Sequence, residues 1–242
     1  MDKALFKKNI LFGTLYTAFL APFIFFMLGL PMILQIEGFE ASLIGMFQMV
    51  GLPSVIKFSL SPPIDKFVFE KNHYKKWIIG TGVIYAVLLF SISFLSLKDD
   101  LYIVLIVIML TTLVSTFIDI PLNALSIKIF TKEERFVAGS YKASSYFVAG
   151  ILGAGVFLLF YNHIGWRNTF MIMSAMVLVA LLILMLISES DEIIKEKKVS
   201  FETILSFFTQ KNIGIWIFLL SFYFAFYTTP ICQDNFFKNL IP

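Results

Sequence analysis

The chain has 242 residues, 19 Lys and Arg against 16 Asp and Glu for a net charge of +3, and is 59% hydrophobic, 17% aromatic and 14% charged, with a mean hydropathy of +0.87. An ordinary soluble domain averages about 25% charged residues, so the composition excludes one and points to an integral membrane protein. The small charge excess lies mostly in loops, which bears on topology rather than on nucleic acid, and no nucleic-acid partner is expected. One cysteine, Cys232, excludes an internal disulfide framework and an all-cysteine metal site. His73 and His163 fall in loops expected on opposite sides of the bilayer, so neither metal nor cofactor is expected. With no Ser-His-Asp set, no metal-binding His pair and no Gly-rich phosphate loop, neither is an enzyme.

The chain opens with a short basic end, MDKALFKK, followed by an apolar run from Asn9 to Leu34 that is too long for a signal peptide and has no small-residue cleavage site. About 20 residues at ~1.5 Å each cross a hydrocarbon core of ~30 Å, so this run reads as helix one, bent at Pro22 and at Gly29-Leu30-Pro31. Gln35 to Glu40 form an acidic loop. Helix two is expected from Ala41 to about Ser61, with Pro53 inside it and a charge, Lys57, about two turns before the turn Pro62-Pro63-Ile64-Asp65-Lys66. A proline inside a span is acceptable where neighbouring helices satisfy the freed carbonyl. Helix three reads as Trp77 to Leu97, helix four as Leu101 to about Lys128, helix five as Phe136 to Phe160, and helix six as Trp166 to Ile187 after a turn at Asn162 to Gly165.

Fourteen of the 19 basic residues fall at the amino end, in the loops after helices two and four, and between residues 189 and 211, while the alternate loops hold only Lys98 and Arg167. By the positive-inside rule the amino terminus is expected in the cytoplasm and six helices return the chain there. The expected organisation is a six-helix bundle over 1–188, a cytoplasmic loop over 189–211 and a partial seventh span with its tail over 212–242. In the loop, ESDEIIKEKK reads as a solvated charge run. Phe201, Ile204, Leu205 and Phe208, at helical spacing after an N-cap at Ser200, read as an interfacial amphipathic helix, with a plain linker as the alternative.

Six helices, a cytoplasmic loop and the start of a seventh resemble the amino-terminal half of a major facilitator superfamily transporter. Ser61-Pro62-Pro63-Ile64-Asp65-Lys66 stands where that superfamily carries a Gly-x-x-x-Asp-Arg/Lys signature, with Ser61 in place of the glycine and the following Gly-Arg-Arg absent. Within the superfamily, Gly51-Leu52-Pro53, Ile56-Lys57-Phe58, Ser61-Pro62 and Ile64-Asp65-Lys66 resemble the helix-two segment of AmpG-like permeases. Leu30-Pro31, Glu37-Gly38, Ile44-Gly45, Asp119 with Ala124, Glu133-Glu134-Arg135, Tyr146 and Gly165-Trp166 fit the same group, so the likeness covers roughly residues 20 to 175.

The resemblance implies proton-coupled movement of a bulky polar small-molecule solute by alternating access, in a bacterial inner membrane, with protons and the lipid bilayer as further partners. It assigns Asp65 and Lys66 to a latch at the cytoplasmic gate, and Arg135 to the same network; a solvated charge run is the alternative for each. Two departures bear on coupling: Asn123 stands where the group repeats an acidic residue, and Ser126 where it has a basic one. Carriers of this kind use two such halves, so this half implies a fragment of a longer product, a half completed by another chain or a second copy, or an inactive truncated remnant. A non-transporting membrane scaffold is the alternative of another class, and efflux an alternative within transport.

Three ionisable residues fall inside the expected spans, Lys57, Asp119 and Lys142. An unpaired carboxylate or ammonium at a span's centre costs about 2.5 to 3.5 kcal/mol on insertion scales, so Asp119 needs a partner or a proton. Lys57 and Lys142 both stand in the cytoplasmic halves of their helices, where either can pair with Asp119 or snorkel to the interface. Asp119, Lys57, Lys142 and the neighbouring Asn123 are thus the candidate coupling or substrate cavity, a fixed neutralising ion pair being the alternative for Asp119. Gly139 with Ala143, Ala149 with Gly153 and Gly150 with Ala154 give helix five a close-packing face.

Overall fold

The computed structural model describes residues 3–55, 57–187, 189, 213–215, 217–219 and 221. The described residues are all helical where they are regular, and no strand occurs among them. Four stretches are long and apolar enough to cross a membrane: Leu5–Ile36, His73–Ile92, Leu101–Ile129 and Arg135–Met185. The chain divides into two units, 1–196 and 197–242. In the second, the described residues are helical, with Ser221 Oγ donating to Ile217 O at 2.8 Å. The expected amphipathic segment 200–212 and the tail beyond residue 221 lie outside the described residues.

The first unit begins with α1 (Lys3–Ile24), which runs through a π turn at Phe25–Gly29 into α2 (Leu30–Ile36). The bend expected at Pro22 is met by neighbours. Phe19 O, next to the carbonyl that Pro22 deprives of its donor, accepts from Tyr85 Oη at 3.2 Å and Ser115 Oγ at 3.4 Å. The run ends at Gly38, φ 82°, where Phe39 N donates to Leu34 O and Gly38 N to Gln35 O, the paired bonds of a Schellman cap.

Expected helix two is a chain of short pieces: α3 (Ala41–Gln48), a 3-10 turn (Met49–Gly51), α4 (Leu52–Val55), a second 3-10 turn (Lys57–Leu60) and α5 (Pro62–Lys66). Its apolar helix, Ala41–Ser54, is shorter than a span. Pro53 has no N–H to offer and Pro62-Pro63 restrict the residues before them, so the ladder tightens to i→i+3 bonds on either side.

α6 (His73–Ile92) begins four residues before the expected helix three, and α7 (Leu101–Ile129) matches helix four closely. α8 (Arg135–Gly150), a π turn at Ile151–Val156 and α9 (Phe157–Met185) follow without a loop. That stretch of 51 residues is about 77 Å long if straight, more than twice a hydrocarbon core. Gly165, with φ 78° and ψ 173°, interrupts it where the turn into helix six was expected. Only glycine adopts that conformation without strain.

α6 packs on α7 and α9, and α1 on α8 and α9. Between them lies an aromatic cluster: Phe25 meets Phe157 and Phe170 edge-on, Phe26 stacks on Phe170, and Trp166 sits 4.5 Å from Phe170. The two π turns touch at Gly153, where a Cβ would stand 2.6 Å from Ala21 O and 2.9 Å from Phe25 N. At one end of the bundle a depression of about 330 Å³ is lined by Glu37, Lys98, Tyr161, Trp166 and Arg167. Glu37 accepts from Tyr161 Oη at 3.0 Å and pairs with Lys98 at 3.2 Å. The Lys98 contact, with that of Tyr161 behind it, holds the Glu37 carboxyl below the usual glutamate range.

Two outcomes follow. Gly153→Ala drives its methyl group into backbone and lowers stability by about 1 to 3 kcal/mol, whereas Gly155→Ala, with open space around it, does not; thermal unfolding of the detergent-solubilised chain separates them. Because the Glu37 pKa is depressed on folding, the contacts' contribution is complete above the ordinary glutamate range and is lost as pH falls through the lowered value. An acid titration of Trp166 emission therefore shows a step below that range, and Glu37→Gln removes it.

Candidate functional site

Asp119 stands ten residues before the end of α7, about 15 Å along an apolar helix. Its partner comes from the irregular segment: Lys57 Nζ, on the second 3-10 turn, donates to Asp119 Oδ2. The pair is accessible rather than sealed, with 37% of the Lys57 and 27% of the Asp119 side chain exposed. Of the two lysines expected to compete for Asp119, only Lys57 reaches it.

Lys142, about two turns into α8, goes to the next turn of α7 instead. Its Nζ donates to Asn123 Oδ1 at 2.6 Å, and the same oxygen accepts from Tyr16 Oη at 2.9 Å. The ammonium lies 5.0 Å from the centre of the Tyr16 ring and 6.0 Å from that of Tyr146. Lys57, Asp119, Asn123 and Lys142 thus share one polar face built from α1, α7, α8 and the broken segment. Tyr16 is the member that the sequence reading missed. Its only signal was a phenol beside Thr17 in an apolar run.

The residues assigned to the gate are not gathered in the same way. Arg135 Nη2 donates to Ile127 O at 2.9 Å and its Nε to Phe130 O at 3.3 Å, so it caps the last carbonyls of α7. Lys66 lies over the Phe67 ring at 5.9 Å. The Asp65 side chain lies outside those described. Glu134 takes Lys8 at 3.5 Å and the backbone N–H of Thr131.

A second missed residue is Glu189, which the sequence reading placed at the start of a solvated charge run. Its side chain is fully buried and pairs with Lys128 at 3.1 Å. Its two oxygens also accept the Tyr74 and Lys75 N–H groups at the start of α6, at 3.4 and 3.0 Å. Lys75 Nζ in turn donates to Met185 O and Ile187 O at the end of α9. Burial follows from this threefold use: unpaired helix-terminal N–H groups and a nearly buried ammonium both favour a carboxylate. The signal available was Lys75 and Lys128 at helix ends on the same side. Among the described residues no group of three or more metal-ligating side chains occurs.

A family model described as the Major Facilitator Superfamily matches residues 10–237. The curated anhydromuropeptide permeases of Escherichia coli strain K12 and of Escherichia coli O157:H7 are each 23% identical to this chain over 195 residues, covering 77% of it and 39% of the relative. The chain therefore spans about two-fifths of the length of the curated relatives it matches. The family match and the apolar spans make it a multi-pass membrane protein.

Removing one partner of a buried pair leaves the other uncompensated, at a cost of about 3 to 5 kcal/mol. Glu189→Ala is expected to lower the thermal midpoint of the solubilised chain. Glu133→Ala, at an exposed neighbour of the α7 end, is expected to leave it unchanged.

Proposed function

The chain belongs to the Major Facilitator Superfamily, and on that premise we propose that it forms the six-helix amino-terminal half of a proton-coupled permease, together with the start of a seventh span. It moves a bulky polar solute across a bacterial inner membrane by alternating access, and its amino terminus is cytoplasmic. The names of its permease relatives make anhydromuropeptides the first solutes to test. The positive-inside distribution supports the orientation. A second six-helix body completes the carrier, whether from the same longer product, another chain or a second copy.

The single observation that carries this reading is Asp119, held inside apolar α7 by a lysine on distorted backbone, with a second lysine one helical turn away. Irregular backbone at membrane depth is tolerated where it lines a polar cavity, and intramembrane carboxylates that pair with lysine mark ion and solute paths. With Asp119 ionised, Lys57 is its counter-ion and the irregular segment is tied to α7. A proton on Asp119 removes the ionic part of that tie, frees the Lys57 ammonium and lets the segment move relative to α7. Coupling then consists of alternating the Lys57 contact with the proton as the cavity changes side.

The test is uptake of labelled anhydromuropeptide by vesicles carrying the protein as its own gene encodes it, with and without an inward proton gradient. The gradient is expected to raise wild-type uptake, and Asp119→Asn to abolish that rise, a loss of about 5- to 150-fold for an ordinary coupling energy. Asp119→Asn with wild-type response overturns the coupling role. Solute binding with no flux under any gradient favours the scaffold reading.

A further inference from the structure

We propose that Lys142 and Asn123 form an anion subsite on this polar face that takes a carboxylate of the solute; the word solute rests on the carrier reading above, whereas the subsite stands on its own geometry. Among the described residues, every carboxylate that forms an ion pair already has a cation, and Asp119 is held by Lys57. Lys142 pairs with none of them. Its direct contacts are neutral: one amide oxygen and two phenol rings. An ammonium has three N–H donors, and Asn123 Oδ1 uses one.

The amide beside it adds a second donor. Asn123 Oδ1 accepts both from Lys142 and from Tyr16, which fixes the oxygen and leaves the Nδ2 hydrogens to face elsewhere. No protein acceptor takes them among the described residues. Asn123 is half-buried, and its Nδ2 is not sealed: among the described residues Asn9 Oδ1 is the only buried side-chain nitrogen or oxygen without a partner. Tyr146, 43% exposed, borders the same opening. With Lys57 and Asp119 cancelling each other, the face carries one net positive charge and two adjacent N–H donors, the complement of a carboxylate. The neutral amide at residue 123 matters here, because an aspartate in its place would supply Lys142 with a built-in counter-ion.

The same chemistry is offered by the phosphate of an anionic lipid, since Lys142 is only about two turns from the start of α8. The experiment separates the two sources by residue-specific labelling of the full chain in nanodiscs, with benzoate as the probe and benzamide as its neutral counterpart. Reductive methylation of Lys142 is followed by mass spectrometry, with exposed Lys132 as internal reference. In phosphatidylcholine discs, benzoate is expected to slow Lys142 methylation about tenfold relative to Lys132, as one charge-assisted hydrogen bond would, and benzamide to have no effect. Asn123→Asp is expected to abolish the benzoate effect. Equal effects of benzoate and benzamide, or none, overturn the proposal without recourse to any variant. So does protection by phosphatidylglycerol discs alone with nothing added by benzoate, because the site is then a lipid contact. Labelling requires no flux: benzoate protection beside an uptake assay that fails leaves the subsite standing and the carrier reading fallen, and loss of protection beside gradient-driven uptake does the reverse.

Discussion

A carboxylate about 15 Å along an apolar helix has to be neutralised from within the protein, and much of this bundle is arranged around that requirement at Asp119. The counter-ion arrives on the least regular stretch of the chain. In a regular helix from 41 to 61, the Lys57 backbone would follow the α-helical ladder. The prolines at 53, 62 and 63 instead break the described residues 49–55 and 57–60 into 3-10 and single-turn pieces, and α4 and the second 3-10 turn pack on α7, which lets Lys57 meet Asp119. The polar pair and the irregular backbone support each other, since each is costly in hydrocarbon alone and each lines the same accessible face.

Helix ends present the same problem in weaker form, because four N–H or four carbonyl groups are left over at each. Beside the local cap at Gly38, this chain meets it with long side chains. Arg135 takes the carbonyls ending α7, Lys75 those ending α9, Trp166 Nε1 donates to Ile92 O at 3.0 Å at the end of α6, and Glu189 takes the N–H groups that start α6. The Lys75, Trp166 and Glu189 contacts join elements distant in sequence, whereas Arg135 spans only the turn between α7 and α8. At Lys75, Trp166 and Glu189 capping and tertiary closure are therefore the same bonds.

Membrane character, helix existence and the important charges were legible in sequence because hydropathy and rare intramembrane charge are strong signals. Asp119, Lys57 and Lys142 were named as the charges inside the spans and Asn123 through the resemblance, and the structure brings them to one face. Which lysine pairs with Asp119 was not legible, since it depends on how far prolines unwind residues 49–55 and 57–60. Glu189 was misread because composition cannot distinguish a charge run from one whose first member turns back into the bundle. Arg135 was assigned to the gate network by resemblance, whereas its described bonds go to the α7 carbonyls, where helix geometry offers acceptors eight and five residues upstream. Helix two was expected as one helix from 41 to about 61, and the described residues there form short helical pieces instead. The run from α8 through the π turn into α9 follows the expected helix five, 136 to 160, and the turn expected at Asn162 to Gly165 coincides with the non-helical Gly165.

Alternating access by rocking demands that a half move as one body, and the contacts inside this unit supply that stiffness. Gly153 brings backbone against backbone between the two π turns, leaving no compliant side chain there. Tyr85 and Ser115 tie α6 and α7 to the same Phe19 carbonyl of α1, and Ser174 Oγ ties α9 to Ala86 O of α6 at 2.8 Å. The polar face differs in kind: Lys57, Asp119 and Lys142 are held by long, partly exposed side chains rather than by packed backbone. A rigid interior with adaptable groups at one face is the division of labour that the proposed function requires, because a proton or a solute carboxylate can then rearrange the face without loosening the body that carries it.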